Sequence, residues 1–333
     1  MGAQEYLARR VLYALLTLLF VLVANFMLFR VMPSDPITLV TRTLRLSEAD
    51  QQDLRESLGL CVPPEGQAKC SIVGQLATLP TYMRETLTGN LGRSLRSARP
   101  VVDEIASRLW PTILLVGLGT IFSTSIGVLI GIKGGWHRGS TFDTSSLYSS
   151  LVFYSMPEGW LGMILILLFV GTLGWFPSGG YQSSTGLTGF AHVIDVANHL
   201  FLPCLTLTLG YIGEYAIIMR SSLLEVMNDD FVQTARAKGV QDRLVRRRHA
   251  VPNAFLPTFT LIFLSFGFVL GGSIIIETVF SWPGIGRLTY DAIGELDYPI
   301  IQGVFLLASA TVIVFNLIAD ITYAYLDPRI RAA

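Results

Sequence analysis

Charged side chains are scarce in this sequence. They make up 14% of its 333 residues, where an ordinary soluble domain carries about 25%. The 24 Lys and Arg balance 24 Asp and Glu, for a formal net charge of +0. No global field therefore draws nucleic acid to the chain. A content of 51% hydrophobic residues also excludes a disordered polar chain. Cysteine is nearly absent, and three in the whole sequence rule out a disulfide scaffold. No Gly-x-x-x-x-Gly-Lys-[Ser/Thr] sequence occurs, so no P-loop can cradle nucleotide phosphates; Gly131-Ile-Lys133 is only a fragment. His137, His192, His199 and His249 lack metal-ligand spacing, and no Ser/His/Asp arrangement carries an elbow signature. They read as loop or interface residues. The chain is expected to hold no catalytic, cofactor or metal site of its own.

Long apolar runs are what the sequence has in quantity. A helix needs about 20 mostly apolar residues to cross hydrocarbon. Six stretches qualify: Arg10–Met32, Trp110–Ile132, Ser145–Leu173, Leu200–Met219, Pro257–Phe280 and Ile300–Leu326. The expected fold is an all-α integral membrane protein with six transmembrane helices. The third stretch is interrupted by Met156-Pro157-Glu158-Gly159. It reads as one kinked span, with a re-entrant element before a shorter helix as the alternative.

Lys and Arg in the short loops set the orientation. With the N-terminus inside, one face holds Arg9, Arg10, Lys133, Arg138, Arg220, Arg236, Lys238, Arg243, Arg246, Arg247, Arg248, Arg329 and Arg331, while the short opposite loops hold only Arg287. Both termini are thus expected in the cytoplasm. Arg30-Val-Met-Pro-Ser-Asp35 lacks an Ala-x-Ala cleavage site, so the first span reads as a retained anchor. The expected organisation is an anchor helix at 1–32, an extracytoplasmic subdomain at 33–108 and a transmembrane core at 109–333.

Within the long outer segment, Ser47-Glu-Ala-Asp50 followed by Leu54, Leu58 and Leu60 reads as a capped amphipathic helix ending at Gly59. Val101–Arg108 reads as a second helix leading into the membrane. Cys61 and Cys70 either pair, which an oxidising exterior permits, or remain thiols. Cys204 reads as packing.

The inner loop 220–256 is the most informative. It contains Asn228-Asp-Asp-Phe-Val-Gln-Thr-Ala-Arg-Ala-Lys-Gly239. Asn228 to Asp230 offer N-cap oxygens, Gly239 suits a C′ position, and Arg236 and Lys238 suit the last turn's dipole. A helix of about two turns is expected, with Phe231 and Ala235 sharing one face. The small Thr234, Ala235 and Ala237 let another surface approach closely.

This loop resembles the signature of inner-membrane subunits of ABC importers: Glu-Ala-Ala, three residues, Gly, then Leu-Pro further on. Aligned on Gly239, the triplet falls on Gln233-Thr234-Ala235 and the last pair on Leu256-Pro257. Only the second alanine is kept. Thr-Ala-Arg-Ala-Lys-Gly is nonetheless the form common in the dipeptide/oligopeptide/nickel branch. Gly89-Asn-Leu-Gly-Arg-Ser-Leu-Arg96, Gly271–Arg287, Asp297-Tyr-Pro-Ile-Ile-Gln-Gly303 and Leu326-Asp-Pro-Arg-Ile-Arg331 are similar to the B-type subunit of that branch.

The resemblance implies a type I ABC importer permease fold in a bacterial or archaeal inner membrane. It implies a heterodimer with a homologous C-type permease, two cytoplasmic ATPases that bind ATP and Mg, and an external solute-binding protein. The cargo it implies is a di- or oligopeptide, with nickel, glutathione or an oligosaccharide as alternatives. A coupling helix would present Asp230, Phe231, Thr234, Ala235, Arg236, Ala237, Lys238 and Gly239, with Leu256 and Pro257, to one ATPase.

Intramembrane polar residues are the default pathway or gate candidates, and here they are Glu214, Glu277, Asn316 and Asp320. For Glu277 and Asp320 the competing reading is a hydrogen-bonded helix contact. Trp282 reads as an interfacial anchor, with contact to a docked binding protein as its alternative. Pro157 and the pairs Gly117/Gly119, Gly127/Gly131 and Gly271/Gly272 read as sites of close helix packing. Two other classes compete: an ion-driven secondary transporter, marked by inverted repeats and broken midplane helices, and a membrane-anchored scaffold.

Overall fold

A computed structural model describes residues 3–31, 52, 55, 61–63, 70–183, 186–269 and 273–326. The helix expected near Ser47–Gly59 lies almost wholly outside these, as do Gly271-Gly272 and the Asp-Pro-Arg segment at the C-terminus. The first helices are α1 (Ala3–Arg30), α2 (Ile72–Leu76), α3 (Leu79–Leu87), α4 (Val101–Trp136), α5 (Thr141–Ser155) and α6 (Glu158–Ile166). They are followed by α7 (Gly189–Val226), α8 (Asp230–Ala237), α9 (Asp242–Leu244), α10 (Val251–Val269), α11 (Ile274–Val279), α12 (Ile285–Glu295) and α13 (Tyr298–Leu326).

Among the described residues, five helical stretches are long and apolar enough to cross a membrane, and α5 with α6 makes a sixth if the pair is one span. Several boundaries differ from expectation. The helix expected at Val101–Arg108 is the first part of α4, which runs unbroken for 36 residues. At 1.5 Å per residue that is about 54 Å, well beyond the hydrocarbon thickness. The fifth span does not reach Phe280: it covers 242–267, and Ser273, in extended conformation, starts the separate α11. It also starts earlier than Pro257, because a wide helical turn at Val245–Ala250 joins α9 to α10.

The third stretch is more than a kinked helix. Its halves meet at 99°. Proline disfavours the helical region for the residue before it, and here Met156 is extended (ψ 129°), as is Pro157 (ψ 129°). Two consecutive extended residues swing the second helix away and expose a fresh helix N-terminus at Glu158.

The chain packs as two units, residues 1–110 with 288–333 and residues 111–287. The division expected at 32 and 108 differs from this packing, because the first and last helices share one unit. There α1 lies along α13. Buried Asn25 donates to the Gln302 carbonyl (3.3 Å) and accepts from the Tyr82 hydroxyl (3.4 Å), and Arg30 stacks over the Tyr82 ring (5.0 Å). The Gly89–Arg96 motif forms a turn whose Ser94 hydroxyl and Leu95 N–H donate to the buried Asp297 carboxylate, while Arg96 pairs with Glu295. Cys61 and Cys70 are disulfide-bonded, with Cα atoms 6.2 Å apart.

In the other unit α7 is the central helix. A Cβ at Gly127 would sit 2.7 Å from the Ile212 carbonyl and 2.7 Å from Tyr215 Cβ; one at Gly131 would sit 2.8 Å from Met219 Cβ. Only hydrogen fits there. Gly119 likewise faces Leu207 Cβ at 2.8 Å, whereas Gly117 faces open space and plays no such part. Beside α4, and touching it at Gly134, α5 also packs on α7, and these two are joined by an ion pair. Asp143, buried, accepts from Arg220 at 2.6 and 2.9 Å and from the Gly139 N–H at 2.9 Å. Its own N–H donates to Ser140, which caps α5 (3.1 Å). Cys204 is buried among the apolar residues of α7.

Two stability outcomes follow from this packing. Gly131→Val should destabilise the detergent-solubilised protein by about 1–3 kcal/mol, the range for an overpacked core, seen as a lowered Tm. Gly117→Val at the open site should leave Tm unchanged. Arg220→Ala, which leaves Asp143 buried and unpaired, should cost roughly 3–5 kcal/mol; recovery in the Asp143→Ala/Arg220→Ala double variant would separate lost pairing from lost packing.

Candidate functional site

Two features of the unit 111–287 have the geometry of a working part. The first is α8. Asp229 is its extended N-cap residue but makes no side-chain cap bond. Asn228, expected to cap, instead donates back to the Leu224 carbonyl (3.0 Å), prolonging the end of α7. The C-terminus is as expected. Gly239 has φ +76°, its N–H donates to the Arg236 carbonyl (2.9 Å), and the Val240 N–H reaches the Ala235 carbonyl (3.2 Å). A left-handed residue there favours glycine and stops the helix.

The i,i+4 spacing of Phe231 and Ala235 does not make them neighbours in burial. Val232 (0% exposed) and Ala235 (7%) are the seated residues, packed with Met219, Leu223, Val245, Ala250 and Ala254. Phe231 is 41% exposed and points away from the core, with Thr234, Ala237 and Lys238 also exposed. The one alanine that the importer signature and this chain share is thus the one against the protein body. Arg236 and Arg246 both approach the Trp136 indole, at 5.6 and 5.8 Å, and Arg236 lies 3.7 Å from Asp242. Helix α8 is therefore fixed to the ends of three spans, α4, α7 and the fifth. Leu256 is half-buried and Pro257 exposed, both inside α10 rather than in a loop.

The second feature is a cavity of about 550 Å³. Val116 and Thr120 of α4, Tyr211 and Tyr215 of α7, Ser273 and Glu158 are among its lining residues. Its volume falls within the roughly 300–1,000 Å³ of small-molecule sites. The Tyr215 hydroxyl is engaged with Ser265 Oγ at 2.7 Å.

The four pathway candidates are not brought together. Glu214 is half-buried on α7 and does not appear among the residues lining the cavity. Glu277 is fully buried and its carboxylate accepts from the Thr112 hydroxyl (3.0 Å) and the Arg287 N–H (3.0 Å). Asp320 pairs with Arg10 at 3.1 Å, and Asn316 is exposed. Trp282, expected as an interfacial anchor, is 0% exposed and donates from Nε1 to the Pro111 carbonyl (2.9 Å). That carbonyl and Thr112 open the apolar part of α4, so Trp282 and Glu277 together hold the 273–287 segment to it. The acid on the cavity, Glu158, was missed because it lay inside a motif read only for its proline. An ionisable residue at the break of an apolar stretch was the available signal.

The described spans, with α8 between the fourth and fifth, have the permease fold of type I ABC importers. The inward-facing MetNI methionine ABC transporter aligns with 67% of this chain and 96% of its own, with a TM-score of 0.52 and 19% identity. The chain belongs to the family of inner membrane components of binding-protein-dependent transport systems. That family's model matches residues 123–332, and the model of its N-terminal component matches 3–116. The dipeptide transport system permease protein DppB of Alkalihalophilus pseudofirmus is 36% identical, and the oligopeptide transport system permease protein AppB of Bacillus subtilis 33%. The glutathione transport system permease protein GsiC of Salmonella typhimurium is 37% identical. Each alignment covers 98% of this chain and 99% of the relative. Between permease, ion-driven carrier and scaffold, family membership selects the multi-pass permease subunit of an ABC importer.

Glu277→Ala is now expected to act on folding rather than on the pathway. It strands the Thr112 hydroxyl and the Arg287 N–H, each worth about 1–3 kcal/mol when buried unsatisfied. A thermal melt of the purified protein, run against uptake, separates the two: a normal Tm with impaired uptake would restore the pathway reading.

Proposed function

We propose that this permease forms half of the translocation pathway of an ATP-driven importer for di- or oligopeptides, with both termini in the cytoplasm. Its partners are a homologous C-type permease, two ATPases that bind ATP and Mg, and an external binding protein. The observation that carries the reading is α8: a short capped helix whose Val232–Ala235 side is seated on the spans, while Phe231, Thr234 and Lys238 stand clear for a partner. ATPase closure displaces α8, and because α8 is held by three spans the displacement reaches them as a rigid-body movement. Excess Lys and Arg on that end of the spans supports its cytoplasmic placement.

Peptide cargo is supported by the printed functions of relatives aligned over nearly the whole chain, including one for the tripeptide glutathione. The test is reconstitution of the full importer in proteoliposomes with a dipeptide-loaded binding protein. Uptake should require ATP and binding protein together. Phe231→Ala should reduce loaded-binding-protein-stimulated ATP hydrolysis and uptake at least tenfold while Tm stays unchanged, since the side chain is exposed. Uptake by the isolated chain, without ATPases, would refute the coupling.

A further inference from the structure

We infer that the Glu158 carboxylate is a cargo-binding group: it takes the protonated amine of a translocating peptide in the cavity it shares with Tyr211 and Ser273. This rests on the peptide-importer reading above and adds to it the group that holds the cargo and the end of the cargo that is held.

Three independent observations converge on Glu158. The first is position. It follows the 99° break between α5 and α6, at the middle of the apolar stretch 141–172. In secondary transporters, broken helices at mid-membrane carry ligand sites, with the helix N-terminus facing an anionic group; here the anion at that N-terminus is the chain's own Glu158 carboxylate. The second is charge. Glu158 is the one acid among the described lining residues, and none of them is Lys, Arg or His. Glu158 shares a hydrogen bond with the Tyr211 hydroxyl, but no described ion pair neutralises it, in contrast to Asp143 with Arg220 and Asp320 with Arg10. As the first residue of α6 it sits at the helix end whose dipole favours negative charge. The cavity is therefore negative, and a cation is its complement.

The third observation is the rest of the wall. The Tyr215 hydroxyl is occupied by Ser265, and the Ser123 hydroxyl donates to the Thr120 carbonyl (3.1 Å). Ser273, the N-cap of α11, makes no cap bond with its side chain. A primary ammonium has three donors and no acceptor, so a carboxylate flanked by hydroxyl oxygens matches it. Val116, Leu207 and Ile274 make the remainder apolar, which favours burial of side chains without fixing their identity. One polar anchor for the constant amino terminus and a non-directional wall for varied side chains is the chemistry that a broad peptide site requires.

The test uses the whole importer in proteoliposomes, with its binding protein saturated by a dipeptide bearing a free amino terminus. Cargo delivered is measured per ATP hydrolysed. Glu158→Gln, which keeps the shape and removes the charge, should lower this ratio at least fivefold; Glu158→Asp should stay within twofold of the wild type. Equal ratios in Glu158→Gln and wild type would overturn the amine site and leave the importer reading intact. No uptake of any peptide by the wild type would sink the peptide reading, and this site with it. If Glu158→Gln fails to assemble, the wild type decides the matter with an N-acetylated dipeptide at matched binding-protein occupancy. A fivefold fall supports the site, and equal delivery overturns it.

Discussion

The unit 111–287 depends on how closely α4 and α5 approach α7. Helices in a bilayer gain no hydrophobic energy from meeting, so packing of small residues has to hold them. Gly127 and Gly131 bring the backbone of α4 onto Ile212, Tyr215 and Met219, where an added Cβ would lie at 2.7–2.8 Å. On an adjoining face the bidentate Asp143–Arg220 pair clamps α5 to the same helix. With both helices packed on it and on each other at Gly134, α7 keeps a fixed place in the unit, and the cavity and α8 are arranged along it.

Those features are stacked in order. Tyr211 and Tyr215 line the cavity, Met219 meets Gly131, Arg220 holds Asp143, and Leu223 seats Val232 and Ala235 of α8. From 215 to 223 is about 12 Å at helical rise. A force applied to α8 has no flexible joint to absorb it over that distance. One length of helix runs from the seat of α8 to the cavity, and the glycine contacts and the buried ion pair brace it.

The parts legible in the sequence were those specified by local pattern. Apolar run length gave the spans, and Gly239 with the polar residues before Phe231 gave α8 and its stop. Pairings across the chain were not legible. Periodicity placed Phe231 and Ala235 on one face, but only the positions of Met219 and Leu223 decide that Val232 is the buried neighbour. Trp282 and Glu277 read as a surface anchor and a pathway acid because their partners, Pro111 and Thr112, lie about 170 residues earlier. The fifth span was extended too far because Ile274–Val279 is as apolar as what precedes it; the extended backbone at Ser273 starts it as a separate helix.

Four acids among the helices differ in how their burial is met. A carboxylate removed from water must be paired, hydrogen-bonded or left facing a polar space. Asp143 is met by Arg220 and a backbone N–H, Asp320 by Arg10, and Glu277 by Thr112 and the Arg287 N–H. Those three are satisfied by the chain itself, so each reinforces a helix contact. Glu158 is half-buried, shares a hydrogen bond with the Tyr211 hydroxyl and faces the cavity without a described cationic partner. Its burial is tolerated because the broken helix supplies a positive dipole end and the cavity leaves room for water or a cation. The proline that breaks the span and the acid that follows it are thus a single device: without the break, the same carboxylate would sit on the side of a continuous apolar helix with nothing to compensate its charge.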